Sequence, residues 1–513
     1  MSASREKNTR KESVLTKNTQ ELRSRQDANK DRSFYIKCIA AVVALAVVFV
    51  LCFLYSNDSI RKNMTAVTVD GEKFTATDLN YYYYTSLDQY GSYLTYFGAD
   101  PSQDLDAVEY ADGQSWGDYF RDSAVLLLTQ TVTMYNQAMA DGYEISDELQ
   151  QEIDDYSASI DSYCESNAMT REQFLTSRYG ANMTDEIFMR HLTMSFVASD
   201  YMDHYRQTHE YTEEEMEAYY EEHPEEINLA SYEVLTVNAD YSGIEGVTEG
   251  STDEEPTYTE AQTEQAMDAA KETANAFLDR VDAGESLADI AAEYGENYYS
   301  KKTDASYASY TDYTFNDWVF NESRVPGEAS VVIDEAKNCW YVVVLDHCER
   351  PEYNTVDVRH ILIQPLDSGL TEGEDGYEEA EALNNAQAET RAQDILDEYL
   401  AGEHTAEAFG ALADEYSADT DAGEGGLYTQ VYKGQMLDAF ENWCFDPVRQ
   451  AGDTGIVETS SGYHVMYFQG EDLPYWQVRC IDGLYTQWQD DIFNGATVKR
   501  HPLGIQAAGG VRQ

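Results

Sequence analysis

The sequence predicts an α+β chain in three parts. These are an N-terminal transmembrane helix, a region of amphipathic helices, and two copies of a small domain in which an antiparallel sheet is flanked by helices. Three observations predict this. An uncharged apolar run extends from Cys38 to Tyr55. Apolar residues at helical spacing dominate from Ala76 to about Glu226. From about residue 230 onward, one pattern occurs twice in the same order.

The apolar run, with Phe34 to Ile36 ahead of it, is long enough to cross a bilayer core of about 30 Å as a helix. Lys37 can snorkel to the interface. Ten basic and five acidic residues precede Cys38. That excess of Lys and Arg places the N-terminus in the cytoplasm. No small-residue cleavage pattern follows Tyr55, which argues against a signal peptide. Leu51, not a small residue, precedes Cys52, which argues against a lipoprotein anchor. The expected organisation is a basic tail (1–33), a single-pass anchor (34–55) and an extracytoplasmic remainder.

Composition excludes several classes. The 513 residues carry 96 acidic and 33 basic side chains, a formal charge of −63. Such a surface repels nucleic acid. Hydrophobic residues make up 42% of the chain and tyrosine supplies 41 positions, enough for packed cores. Five cysteines lie outside the apolar run, and their odd number and wide spacing are no disulfide framework. No C-x-x-C occurs, so zinc is not expected. The H-E-x-x-H signature of zinc hydrolases is absent.

Ala66 to Thr75 reads as a β-hairpin turning at Asp70-Gly71. A helix is predicted over Asp122–Ala140, ended by Asp141-Gly142. Ser146 caps the next one, and Thr170 and Thr212 open capping boxes. No catalytic constellation occurs in this helical region, 64–229.

The repeat is explicit. Trp318-Val319-Phe320 with Arg324, Gly327 and Val332 matches Trp443-Cys444-Phe445 with Arg449, Gly452 and Val457 at identical spacing. Upstream, Leu287, Ile290, Ala291, Glu293 and Tyr294 match Phe409, Leu412, Ala413, Glu415 and Tyr416. Two units follow, 230–350 and 352–470, with a C-terminal segment at 471–513. Each unit has an acidic insertion after its first strand, Gly246–Thr259 and Asp367–Glu379, read as loops.

The second unit carries motifs that the first lacks. His360 is set in the β-type run Val358–Ile363, and His464 in Gly462-Tyr463-His464-Val465-Met466. Between them lie Gly425-Gly426, Gly434-Gln435-Met436 and Phe440. This ordered set resembles the parvulin family of peptidyl-prolyl isomerases. The helical region resembles the N-terminal chaperone region of SurA- and PrsA-type foldases. That likeness implies that residues 471–513 pack back onto the helical region.

Rotation about an X–Pro bond faces a barrier near 20 kcal/mol from amide resonance, and no bond breaks. The reaction therefore needs no metal or other cofactor. It needs an apolar cup for the proline ring and polar groups that favour a twisted amide. Met436 and Phe440, four apart, read as one face of a helical turn that forms the cup, although core packing produces the same spacing. The resemblance implies that His360 and His464 share a hydrogen-bond network, with Thr459 and Ser461 setting their tautomers. It places Asp419 where parvulins have Cys or Asp facing the substrate amide. Gln435 belongs to the binding motif. Tyr428 stands where the family has leucine, because the usual Gly-Gly-Asp-Leu-Gly reads Gly425-Gly426-Leu427-Tyr428-Thr429 here.

Glu372, Glu374, Asp375, Glu378 and Glu379 replace the basic cluster of phospho-specific parvulins. Phosphorylated substrates are excluded on that ground. Asp419 to Glu424 lacks the ligand spacing of a calcium loop. In the first unit Tyr341 falls at the second histidine position and no Gly-Gly occurs, so that unit reads as inactive, structural or client-binding. The expected partners are unfolded or partly folded secreted polypeptides containing X-Pro, together with the membrane. No signal for oligomeric state is present. The rival expectation is a non-enzymatic holdase that uses both scaffolds only for binding.

Overall fold

The computed structural model describes residues 58–510 apart from 112, 247–257, 308–312 and 372, together with the helical positions Val43, Leu45, Ala46 and Val48. The rest of the expected membrane helix 34–55 lies outside the described residues. Among the described residues, no helix is long and apolar enough to cross a membrane. Most of the Gly246–Thr259 insertion also lies outside them.

The chain forms two compact units, residues up to His209 with Trp488–Gln513, and Glu210–Gln487. In the first unit, strands Thr65–Val69 and Glu72–Thr75 form the expected hairpin, with Asp70 and Gly71 both at positive φ. Val498–Arg500 adds an antiparallel edge to it, pairing Arg500 with Val67. Helix Ala76–Leu94 follows, opened by a capping box between Thr75 and Asp78. Tyr81, Tyr82, Tyr83 and Tyr84 are all buried, so the first half of this helix is enclosed on every side, whereas Tyr90 and Tyr93 in its second half are exposed. The next helix runs over Trp116–Ala140, six residues earlier than the apolar spacing predicts, because Ser115 and Asp118 form a capping box there. Helices Asp147–Ser166, Arg171–Tyr179 and Asp185–Thr208 complete the bundle, the first two capped by Ser146 and Thr170 as predicted.

The second unit holds two four-stranded antiparallel sheets. The first is ordered Tyr299–Ser306, Leu229–Asn238, Cys339–Glu349, Ala329–Asp334. The second is ordered Leu427–Val431, Asn354–Ile363, Gly462–Pro474, Thr454–Thr459. Numbered along the chain, both sheets read second, first, fourth, third. Two helices separate the first and second strands of each: Glu260–Asp282 and Leu287–Tyr294, then Tyr377–Ala401 and Ala406–Tyr416. A short helix precedes each third strand, Asn316–Val319 and Asp438–Cys444. The sequence repeat is thus a repeat of topology. The acidic insertion of the second copy is shorter than expected, because its helix already begins at Tyr377.

Strand alternation decides what meets the site. In the second sheet Ile361, Ile363, Val465 and Tyr467 face Ala388, Ala392, Ile395 and Phe409 of the two helices. The opposite face carries Val356, Val358, Met466 and Phe468 against Phe440, Cys444 and Val431. His360 and His464 fall on that second face by the same alternation.

Candidate active site

His360 pairs in register with Met466, and His464 with Leu362. The two histidines are therefore diagonal neighbours on one face of adjacent strands, within reach of each other. Their Nδ1 atoms lie 2.9 Å apart and the rings stack at 5.2 Å between centroids. His360 Nε2 is 2.8 Å from Asp419 Oδ2. His464 Nε2 is 2.8 Å from Thr459 Oγ1. The four side chains form one continuous array, and both imidazoles are buried.

The proton positions in this array follow from its ends. An ionised carboxylate only accepts, so His360 Nε2 carries the hydrogen and donates it to Asp419. In a neutral imidazole the other nitrogen is then an acceptor. His360 Nδ1 accepts from His464 Nδ1–H, and His464 Nε2 accepts from the Thr459 hydroxyl. Thr459 Oγ1 in turn accepts the Ser461 N–H at 3.1 Å. Ser461 is exposed and joins the array through its backbone rather than through the hydroxyl expected to act.

Electrostatics support neutral rings. Burial, reinforced by neighbouring His360, pushes His464 down to about 4. Burial also lowers His360, against the opposing pull of Asp419. Burial alone would raise Asp419. The Asp421 N–H, the Tyr428 hydroxyl and His360 outweigh it and hold the carboxyl below its ordinary range.

A stability prediction follows. The folded state resists protonating His464 between its ordinary 6.5 and about 4, whereas the unfolded chain takes the proton. Stability is therefore intact above about pH 6.5 and falls as pH drops towards 4. Urea midpoints followed through resonances of residues 354–474 will show that slope, and His464→Gln will flatten it.

Phe440 is 3% exposed and sets its edge against both imidazoles, at 5.4 Å from each centroid. Half-buried Met436 and Tyr428 pack in the same cluster. Met436 precedes the helix Asp438–Cys444 instead of sharing a helical turn with Phe440, yet it reaches the same apolar group. Gln435, expected in the binding motif, lies outside this apolar cluster. It is exposed, and its Oε1 accepts the Tyr432 N–H at 3.2 Å, closing the turn before the helix.

Two positioning residues were not singled out from the sequence. Ser417 Oγ accepts the N–H groups of Leu362 and Asp419, and the Ala418 N–H donates to Leu362 O at 2.9 Å. These bonds fasten the Asp419 loop to the strand bearing His360. Arg359 donates through one guanidinium nitrogen to the carbonyls of Glu424 and Gly425, both at 2.9 Å. It ties the glycine turn to the same strand. The tetrapeptide Tyr416–Asp419 and the neighbour of His360 were the available signals, but contacts this distant in sequence leave no periodicity.

Residues 360–470 match the rotamase family model, described as a PPIC-type PPIase domain. This segment is a PPIC-type peptidyl-prolyl isomerase domain. It spans every member of the array, from His360 to His464. The search of curated proteins returns no match. Among solved structures, PrsA from Bacillus subtilis is 12% identical with a TM-score of 0.26, covering 77% of this chain and 92% of that one. The peptidylprolyl isomerase PrsA from Bacillus anthracis is 19% identical with a TM-score of 0.18, covering 28% of this chain and 59% of that one.

The other sheet lacks the array of the isomerase domain. Val234, paired with Val343, stands where His360 pairs with Met466, and Tyr341 stands for His464. Phe315 sets its edge on Tyr341 at 4.9 Å, as Phe440 does on His464. The Tyr341 hydroxyl donates to Asp334 at 3.3 Å. The apolar packing is kept while the imidazoles and the carboxylate loop are lost.

Proposed function

We propose that this chain is an extracytoplasmic, membrane-anchored foldase that catalyses cis/trans isomerisation of X-Pro bonds in unfolded, non-phosphorylated polypeptides. The observation that carries the proposal is the Asp419–His360–His464–Thr459 array, its two imidazoles buried and Phe440 against them. Phe440, Met436 and Tyr428 take the proline ring and exclude water from the amide. The planar amide places partial negative charge on its oxygen, and twisting withdraws it. A fixed carboxylate beside that oxygen disfavours the planar state more than the twisted one. The neutral imidazoles hold Asp419 in place and take no proton from the substrate.

The segment leaving the His360 strand carries Asp367, Glu374, Asp375, Glu378 and Glu379, which supports rejection of a phosphate beside the proline. The apolar run 34–55 supports the anchor. The first sheet, with Val234 and Tyr341 in place of histidines, supports a structural or client-contacting role for that domain. Exchange NMR on an Ala-Pro peptide and on its phosphoserine-Pro counterpart tests the reading. Faster cis/trans exchange of the first alone is expected. No acceleration of either, with aggregation suppression intact, would leave a holdase in its place.

A further inference from the structure

We propose that Tyr428 is a positioning residue of this isomerase site: its hydroxyl, donated to Asp419 Oδ2 at 3.0 Å, locks the carboxylate and thereby the direction of the whole hydrogen-bond array. The inference rests on the isomerase reading and adds a role for the residue that departs from the family's leucine. A leucine could wall the cup but could donate nothing.

The geometry is that of a carboxylate held on three sides. Oδ2 receives the His360 Nε2–H and the Tyr428 hydroxyl together. Oδ1 receives the Asp421 N–H at 2.9 Å. Each donor comes from a different part of the domain: His360 from a central strand, Tyr428 from the edge strand beside it, and Asp421 from the carboxylate's own loop. With three donors, Asp419 cannot rotate without breaking at least one charge-assisted bond. The orientation of the Asp419 carboxylate sets the His360 tautomer, and that tautomer sets His464 and Thr459 in turn.

The edge strand is held for this purpose. Leu427 pairs with Arg359 and Tyr428 with Val358, and Arg359 also binds the glycine turn that begins the strand. The Tyr428 ring lies 5.3 Å from the His360 ring, so one side chain serves the cup and the array together. The groups facing Asp419 are His360 and His464 on the central strands, Tyr428 on the edge strand and Asp421 on its own loop. From the helix Asp438–Cys444 the uncharged Phe440 packs on the histidines. Burial, reinforced by Asp419, pushes the tyrosine up to about 12, so it remains a donor across the working pH range.

The test is Tyr428→Phe in the full chain, with Tyr428→Leu as a second variant. Two quantities are read: the pH profile of kcat/KM on an Ala-Pro peptide, and the ¹⁵N-histidine NMR signal of the His360 Nε2–H. The Phe variant keeps the wall, so KM changes less than about twofold. It loses a donor to the carboxylate, so the acid limb moves up by about half a pH unit or more. The His360 Nε2–H signal should broaden or vanish at a correspondingly higher pH. The Leu variant shows the same limb shift with a raised KM. A wild-type pH profile and an unchanged His360 signal in Tyr428→Phe would overturn the proposal and leave the residue as a wall only. A wild-type chain that accelerates no peptide would sink the isomerase reading, and the His360 titration would still decide the role of Tyr428.

Discussion

Replacing Gly426 with alanine is expected to destabilise the isomerase domain by about 3 kcal/mol or more and to abolish its activity. Gly426 has φ +68°, a backbone state that costs an L-residue about 1–2 kcal/mol by itself. A Cβ there would also lie 2.3 Å from the His360 carbonyl oxygen and 2.9 Å from the Ala413 Cβ. The first is backbone of the very strand that carries His360, and the second belongs to the helix packed behind it. Neither can yield without moving His360 or opening the helix–sheet contact. Denaturation followed through resonances of residues 354–474 will show an earlier transition. Resonances of residues 64–209 will melt as in the wild type, because they belong to the other compact unit.

Phe440→Ala is the second large effect. The ring is almost wholly enclosed and touches both histidines, Val358, Val457 and Met466 belonging to the same cluster. Truncation of a buried phenylalanine costs about 3–5 kcal/mol. The functional loss should be larger than the stability loss implies, because the base of the proposed proline cup is removed. A fall in kcat/KM of about 100-fold, measured where the variant is still folded, corresponds to about 2.7 kcal/mol of lost transition-state stabilisation. Phe315→Ala is the matched control. It removes the equivalent ring from the first sheet, where Phe315 packs on Tyr341 and Tyr232, and should lower stability without lowering kcat/KM.

Much of this was readable from local signals. The hairpin at Asp70-Gly71, the caps at Ser146, Thr170 and Thr212, and the doubled pattern around Trp318 and Trp443 are short-range chemistry, and the structure has a turn, caps and a repeated topology there. That His360 and His464 are partners was implied by the resemblance to parvulins, and the strand register puts both on one face. What the sequence hid depends on register between distant segments. Tyr428 reaches Asp419 only because the edge strand pairs with Val358 and Arg359 at one particular offset. Ser461 fails to reach His464 because the tight turn after Thr459 points it outward, and the shorter path goes to the Thr459 hydroxyl. Met436 and Phe440 kept their predicted association although the helix starts two residues after Met436, since a turn can deliver a side chain to a cup as well as a helix face can.

The first sheet shows the complementary lesson. Its strand order equals that of the isomerase domain, and Phe315 occupies the place of Phe440, yet apolar Val234 has replaced the histidine. The same strand order forms without the polar array, as expected if two buried imidazoles contribute little to folding that a valine and a tyrosine cannot. Retention of the array in one copy alone is the physical ground for assigning chemistry to that copy.

The most direct test compares changes at equivalent positions in the two copies: cis/trans exchange of an Ala-Pro peptide measured by NMR with the wild type, with His464→Ala and with Tyr341→Ala. The account predicts acceleration by the wild type and by Tyr341→Ala, and a loss of about 100-fold or more in His464→Ala. Undiminished exchange with His464→Ala, or equal losses in both variants, would contradict it.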